Sequence, residues 1–233
     1  MRHLVLFLFL TLLGLVGGYF LSHQEEIAAI FAPSFKIEKE ALQFAPSSYP
    51  SEKLPFCIVI VGRNNGAHLE KTIRSAIEQD YNNFRIVYVD DASDDGSFEL
   101  AKEKCEGHAS ILKNENPVGE FASLERAVQN CRDEEIIVVL KGVDWLAHRW
   151  VLDRLNQYYS DPDLWLTCGQ SRDYPAYQRN LAHPNTFYAR LFKKIYREQD
   201  PTADYIHPMM EIAQGHIQHL PDVLYILNHE SMK

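Results

Sequence analysis

The stretch from Phe84 to Ser97, FRIVYVDDASDDGS, decides how this chain is read. Its apolar run from Ile86 to Val89 has the composition of a buried strand, and two adjacent carboxylates, Asp90 and Asp91, stand where that strand ends. An acidic pair adds nothing to apolar packing. In an open α/β sheet, ligands sit in the crevice beyond the carboxyl ends of the strands, so Asp90 and Asp91 point to a nucleotide or sugar site. Ala92 to Gly96 supply turn residues, and Ser97 fits the N-cap of a following helix. Taken alone, such a run also reads as a solvated acidic turn, and the neighbouring sequence has to decide between the two.

Working outward, Phe56 to Val61 is a second continuous apolar run, ending at Gly62, Arg63, Asn64 and Asn65. No GxGxxG spacing follows it, which excludes the usual dinucleotide fingerprint. His68 to Asp80 has helical spacing with Leu69, Ile73, Ala76 and Ile77 on one face. Downstream, the same reasoning predicts helices over 97–105, 119–131, 146–159, 185–197 and 205–214, and strands over 110–113, 135–141 and 164–168. The segment from Gln170 to Pro184 is polar and reads as a loop whose Tyr174 and Tyr177 either stack on a sugar or pack locally. Arg190, Lys193, Lys194 and Arg197 form a basic cluster, read as a solvated face or a contact for an anionic surface. Strands alternating with helices predict an α/β domain: a mainly parallel, twisted sheet with helices on both faces.

The unit from Phe56 to Ser97 resembles the opening half of the family 2 glycosyltransferases, which have the GT-A fold. It has their hydrophobic strand, Asn-containing loop, helix ending in Gln79-Asp80-Tyr81, and strand ending in the VDDxSxDGS pattern. The likeness extends over roughly Pro55 to Glu230. It implies transfer of a sugar from a nucleotide-sugar donor to a hydroxyl acceptor on a glycan, lipid or protein. By that resemblance Gly62, Asn64, Asp90 and Asp91 serve nucleotide binding, although the family's Pro-Thr or Pro-Ser is Val61-Gly62 here. The family's Asp-Gly-Asp-Asp-Trp-Leu holds a divalent ion, Mn or Mg, on the donor diphosphate. Here the motif reads Lys141-Gly142-Val143-Asp144-Trp145-Leu146, with two of three carboxylates replaced.

No metal site is therefore expected, with Asp144 at most its remnant or else the N-cap of the next helix. Lys141 puts a permanent positive charge on the diphosphate side. Two readings stay open: a glycosyltransferase that is metal-independent or impaired, and a catalytically inactive, membrane-tethered binding or scaffold protein on the same fold. Near the end, Asp204, Gly215 and Pro221-Asp222-Val223-Leu224-Tyr225 match the family's Glu-Asp, Gly and Pro-x-x-Leu-Tyr pattern. That register makes Asp204 the general base, although its customary neighbours are Ala203 and Met210 here; alone, it also reads as a helix cap.

The 233 residues allow one α/β domain with appendages. With 23 Lys and Arg against 32 Asp and Glu the net charge is −9, which argues against a nucleic-acid binder. Leu4 to Leu21 is apolar and reaches roughly 27 Å as a helix at about 1.5 Å per residue, enough for a bilayer core. Arg2 before it and Glu25 and Glu26 after it predict a single-pass anchor at residues 1–21 with the globular part on the non-cytoplasmic side. A cleaved signal peptide is the alternative. Residues 22–54, rich in Pro and Ser, read as a stem with one short helix from Gln24 to Ile30, and 55–233 as the globular domain. Cys57, Cys105, Cys131 and Cys168 show no CxxC pair and read as buried thiols, with Cys105 and Cys131 able to pair if the domain is exported.

Overall fold

The computed structural model describes residues 36–37, 53–174, 179–196 and 205–229, all within the unit spanning 35–233. The predicted anchor, the stem up to residue 52 apart from residues 36–37, Tyr177 and Asp204 lie outside the described residues. Among the described residues no helix is long and apolar enough to cross a membrane.

Among the described residues, eight strands form one sheet. They are β1 (Phe56–Gly62), β2 (Phe84–Asp90), β3 (Ala109–Lys113), β4 (Ile136–Lys141), β5 (Trp145–Leu146), β6 (Leu166–Tyr174), β7 (Arg179–Tyr188) and β8 (Ile217–Asn228). The helices are α1 (Leu69–Ile77), α2 (Ser97–Lys104), α3 (Glu120–Gln129), α4 (Val151–Tyr159), α5 (Ala189–Lys193) and α6 (Ile206–Ile212). The strand order is β3-β2-β1-β4-β7-β6-β8-β5. A separate two-residue ladder joins Lys36–Ile37 to Ile195–Tyr196.

β1 is buried along its whole length because both faces are covered, and its alternation sorts the core into two layers. Phe56, Ile58 and Ile60 face α1, α2 and α4, while Cys57, Val59 and Val61 face α3, α5 and α6. α1 buries Leu69, Thr72, Ile73 and Ala76, the i, i+3, i+4, i+7 stripe that places one helical face on the sheet. Each fully buried Leu or Ile contributes about 1.5–3 kcal/mol.

The sheet is mixed rather than mainly parallel. Four neighbouring pairs are parallel and three, β4/β7, β6/β7 and β5/β8, are antiparallel. The polar stretch predicted as a loop lies largely in the β6–β7 hairpin, and the helix predicted over 185–197 shrinks to α5 because Thr186, Phe187 and Tyr188 pair with β4. The helix predicted from Leu146 starts at Val151, since Trp145 and Leu146 pair with Ile226 and Tyr225. Asp144 therefore caps no helix. Ser97 is no N-cap either: Gly96 holds that position at φ +86°, and the Ser97 hydroxyl accepts from the N–H groups of Asn65 and Gly66. All four cysteines are free and buried. Cys105 packs on the α1 side of the sheet and Cys131 on the α3 side, which excludes the pairing entertained from sequence.

Candidate active site

Parallel register brings the functional candidates into one row. Gly62 on β1 pairs with Asp90 on β2, Asp90 pairs with Lys113 on β3, and Val61 pairs with Lys141 on β4. The carboxyl ends of the four strands thus share one edge.

The acidic turn after β2 is the organiser of the loops on that edge. Asp90 is buried, its oxygens accepting from the Tyr88 hydroxyl at 3.3 Å and the Ser93 N–H at 2.9 Å. Asp91 is buried as well, accepting from the Asn114 amide at 2.8 Å and from the N–H groups of Val118 and Gly119, each at 2.9 Å. Burial pushes the Asp91 carboxyl up, but the bonds from Val118, Asn114, Gly119 and Ser123 outweigh it and hold it below its ordinary range. One side chain therefore fixes the whole 114–119 loop ahead of α3.

The loop after β1 is fastened to the same turn. Asn64, at φ +53°, donates its N–H to the Ser93 hydroxyl and accepts the Asp94 N–H on Oδ1, both at 3.0 Å. Gly66 N–H donates to Asp95 Oδ2 at 3.0 Å. Beside this zipper lies a hollow of about 560 Å³, lined by Ala92, Ser93, Lys113, Asn114 and Glu115. Ala92 itself sits at φ +56°, a conformation costly for a residue with a Cβ.

At the centre of the row, Gly62 at the end of β1 and Gly142 just past β4 approach closely, with Gly142 N–H donating to Val61 O at 2.9 Å. The Asn65 side chain lies over both. A Cβ on Gly62 would stand 1.7 Å from Asn65 Oδ1, and one on Gly142 2.1 Å from it. That oxygen is buried without a hydrogen-bond donor.

Beyond Gly142, Asp144 is 3% exposed. Its Oδ2 accepts from the Tyr225 hydroxyl at 2.9 Å and its Oδ1 from the Asn228 N–H at 2.7 Å, tying β4 to the end of β8. Burial raises its pKa, only partly offset by the bonds from Asn228 and Tyr225 and by the Lys141 charge. Burial, and then the neighbouring Asp144 charge, push the Tyr225 hydroxyl well above its ordinary range. Lys141 is half-exposed, its Nζ 3.0 Å from Glu120 Oε2 in the first turn of α3.

Gly62, Asn64, Asp90, Asp91, Lys141 and Asp144 thus belong to one edge of the sheet. Sequence reasoning gave no role to Glu120, Tyr225, Asn114 or Asn228. Tyr225 carried a signal, standing within the Pro-x-x-Leu-Tyr pattern; the other three carried none.

Three comparisons bear on this arrangement. No curated protein sequence matches the chain. Among solved structures, TarS 1–349 of S. aureus superposes with a TM-score of 0.65 at 14% identity, covering 75% of this chain and 60% of that one. TarS 1–349 in complex with UDP-GlcNAc gives 0.66 at 13% identity, covering 75% and 58%. The mannosyltransferase PcManGT of Pyrobaculum calidifontis, in complex with GDP-Man and Mn2+, gives 0.64 at 20% identity, covering 81% and 60%. The chain spans about 60% of the length of these structures, and at such identities the likeness is one of fold. Residues 57–219, well over half of the sequence, match the profile of glycosyl transferase family 2, and the chain belongs to that family.

Proposed function

We propose that the chain transfers a glycosyl unit from a nucleotide sugar to a hydroxyl acceptor, and that Lys141 rather than a divalent ion meets the donor's diphosphate. The observation that carries this reading is the commitment of Asp144, which is buried with both carboxylate oxygens already accepting hydrogen bonds. A hard divalent cation needs about six oxygen ligands, and residues 141–144 offer no uncommitted carboxylate and add a lysine cation. Residues 141–144 therefore do not fit a metal.

The Lys141–Glu120 pair suits exchange. A half-exposed pair of this kind contributes about 0–1 kcal/mol, so phosphate oxygens can replace the carboxylate at little cost. The hollow beside the acidic turn is within the ~300–1,000 Å³ usual for small-ligand sites and suits the nucleoside. In this reading Asp90, Asp91, Gly62 and Asn64 serve nucleotide binding as positioning residues beneath that hollow. The assignment of Asp204 as general base completes the scheme. As the acceptor oxygen attacks the anomeric carbon and the bond to the diphosphate oxygen breaks, the hydroxyl proton passes to the carboxylate. Charge developing on the leaving diphosphate then faces Lys141. The UDP-GlcNAc and GDP-Man bound by structurally similar proteins support a nucleotide sugar as the donor class.

Calorimetry of the full chain with uridine and guanosine diphosphates, in chelator and in manganese, tests the reading. One nucleotide should bind with equal affinity in both buffers. Lys141→Ala should weaken it about tenfold or more, the equivalent of ~1.4 kcal/mol, and Glu120→Gln should tighten it by up to about fivefold. Binding that requires manganese, or no binding of either nucleotide, would overturn it.

A further inference from the structure

A pair of thiols at the opposite end of the sheet has no part in the scheme above. Cys57, in the first half of β1, and Cys131, just past the C-terminus of α3, have their sulfurs 3.1 Å apart. Cys57 is wholly enclosed and Cys131 is 4% exposed, at the rim between exposed Asn130 and Arg132. About 1 Å of approach separates this contact from the ~2.05 Å of a disulfide. Cationic groups surround the outer sulfur's residue. Lys193 Nζ donates to the Cys131 carbonyl at 2.6 Å, and the Arg85 guanidinium donates to the carbonyl of Asn130 at 2.7 Å.

We propose that Cys57 and Cys131 form an oxidation site, an asymmetric dithiol in which a peroxide reacts first at Cys131 and Cys57 then closes a disulfide. The polarity follows from the surroundings. Cys131 is the outer of the two, and its sulfur contact with Cys57 and the Arg85 and Lys193 charges hold its thiol below its ordinary range against burial and the Glu135 charge. Its bond to Cys131, and then burial, keep Cys57 protonated. The Cys131 thiolate attacks one oxygen of hydrogen peroxide, the O–O bond breaks, and the departing hydroxide takes up a proton to become water. The Cys131 sulfenic acid is then attacked by the Cys57 sulfur. The S–O bond breaks, the S–S bond forms, and the Cys57 proton leaves with the second hydroxide as another water. Two electrons pass from the pair of sulfurs to the peroxide.

Glu135 is the third group near these sulfurs, and together the three have the geometry of a metal cluster. Its oxygens are already taken by Arg85, at 2.8 and 2.9 Å, and by the Arg132 N–H at 2.6 Å. That favours a covalent pair over a bound ion. The bond would staple the first strand to the helix that carries Glu120, closing a loop between positions 74 apart.

The test is exposure of the reduced full chain to hydrogen peroxide, followed by alkylation after unfolding and peptide mapping. Two of the four thiols should become unavailable, a crosslinked peptide should join Cys57 to Cys131, dithiothreitol should reverse it, and the oxidised chain should melt at a higher temperature. Dimedone should trap a sulfenic acid at Cys131 in Cys57→Ser, and none at Cys57 in Cys131→Ser. Four alkylatable thiols after peroxide, a crosslink through Cys105, Cys168 or a second chain, or trapping at Cys57 would overturn the proposal. The wild-type map decides even if a serine variant fails to fold.

Discussion

Asp91 shows how much of the sheet edge depends on one side chain. Three hydrogen bonds from Asn114, Val118 and Gly119 converge on it, and its carboxyl is held below its ordinary range. Because the folded-state value lies below the unfolded one, its stabilisation is present above the unfolded value of about 3.9 and lost as pH falls through the folded value. Asp91→Asn should therefore cost about 2 kcal/mol at neutral pH, leaving buried donors poorly matched. Its melting curve should also be flatter than the wild type's between about pH 5 and 2 in thermal scans. Parallel curves would show that the charge is not what holds the loop. Asp144 has the opposite sign: its raised value makes its ionised form a cost at neutral pH that is relieved on acidification. The position of Asp91 was legible, since a carboxylate directly after an apolar strand has nowhere to go but the strand tip, whereas Asp144, three residues past Lys141, reads in sequence as a helix cap and is none. The partners of both were not legible, because Gly119, Val118 and Asn228 offer backbone N–H groups that every residue but proline carries.

At the level of elements, the close approach of β1 and β4 is a lock with three parts: Gly62, Gly142 and the Asn65 amide. A Cβ at position 142 would meet Asn65 Oδ1 at 2.1 Å and the Gly62 Cα at 3.2 Å, a clash with one movable and one fixed neighbour. Gly142→Ala should cost about 1–3 kcal/mol in chemical denaturation. Asn65→Ala in the same chain should return about 1 kcal/mol or more of that loss, a coupling that a double-mutant cycle reads directly. Strict additivity would mean that the amide does not occupy the space. The elements before this lock were legible to within two or three residues, because β1, β2, α1 and α3 carry clean apolar runs or helical stripes. Those after it were less so. The Gln170–Tyr174 part of β6 is polar and gains its strand geometry by pairing with β7 and β8, and Trp145–Leu146 is drawn out of a helical pattern by Tyr225 and Ile226.

Over the whole molecule, the first half builds a parallel platform and the second a mixed sheet whose last strand returns to it. β8 carries Tyr225 and Asn228 back to Asp144, so the last described strand fixes the loop that follows β4. That closure uses the Asp144 carboxylate for structure, while Lys141 at the end of β4 pairs with Glu120 and, in the proposed function, meets the donor's diphosphate. The sequence contained the exchange of residues but not the reason it is coherent, because the partners are more than eighty positions away. The most direct test is release of nucleoside diphosphate from a nucleotide-sugar donor by the full chain in excess chelator. Turnover should match that in manganese, fall tenfold or more in Lys141→Ala by loss of about 1.4 kcal/mol or more, and vanish in Asp204→Asn. Turnover that appears only with manganese and is indifferent to Lys141 would contradict the account.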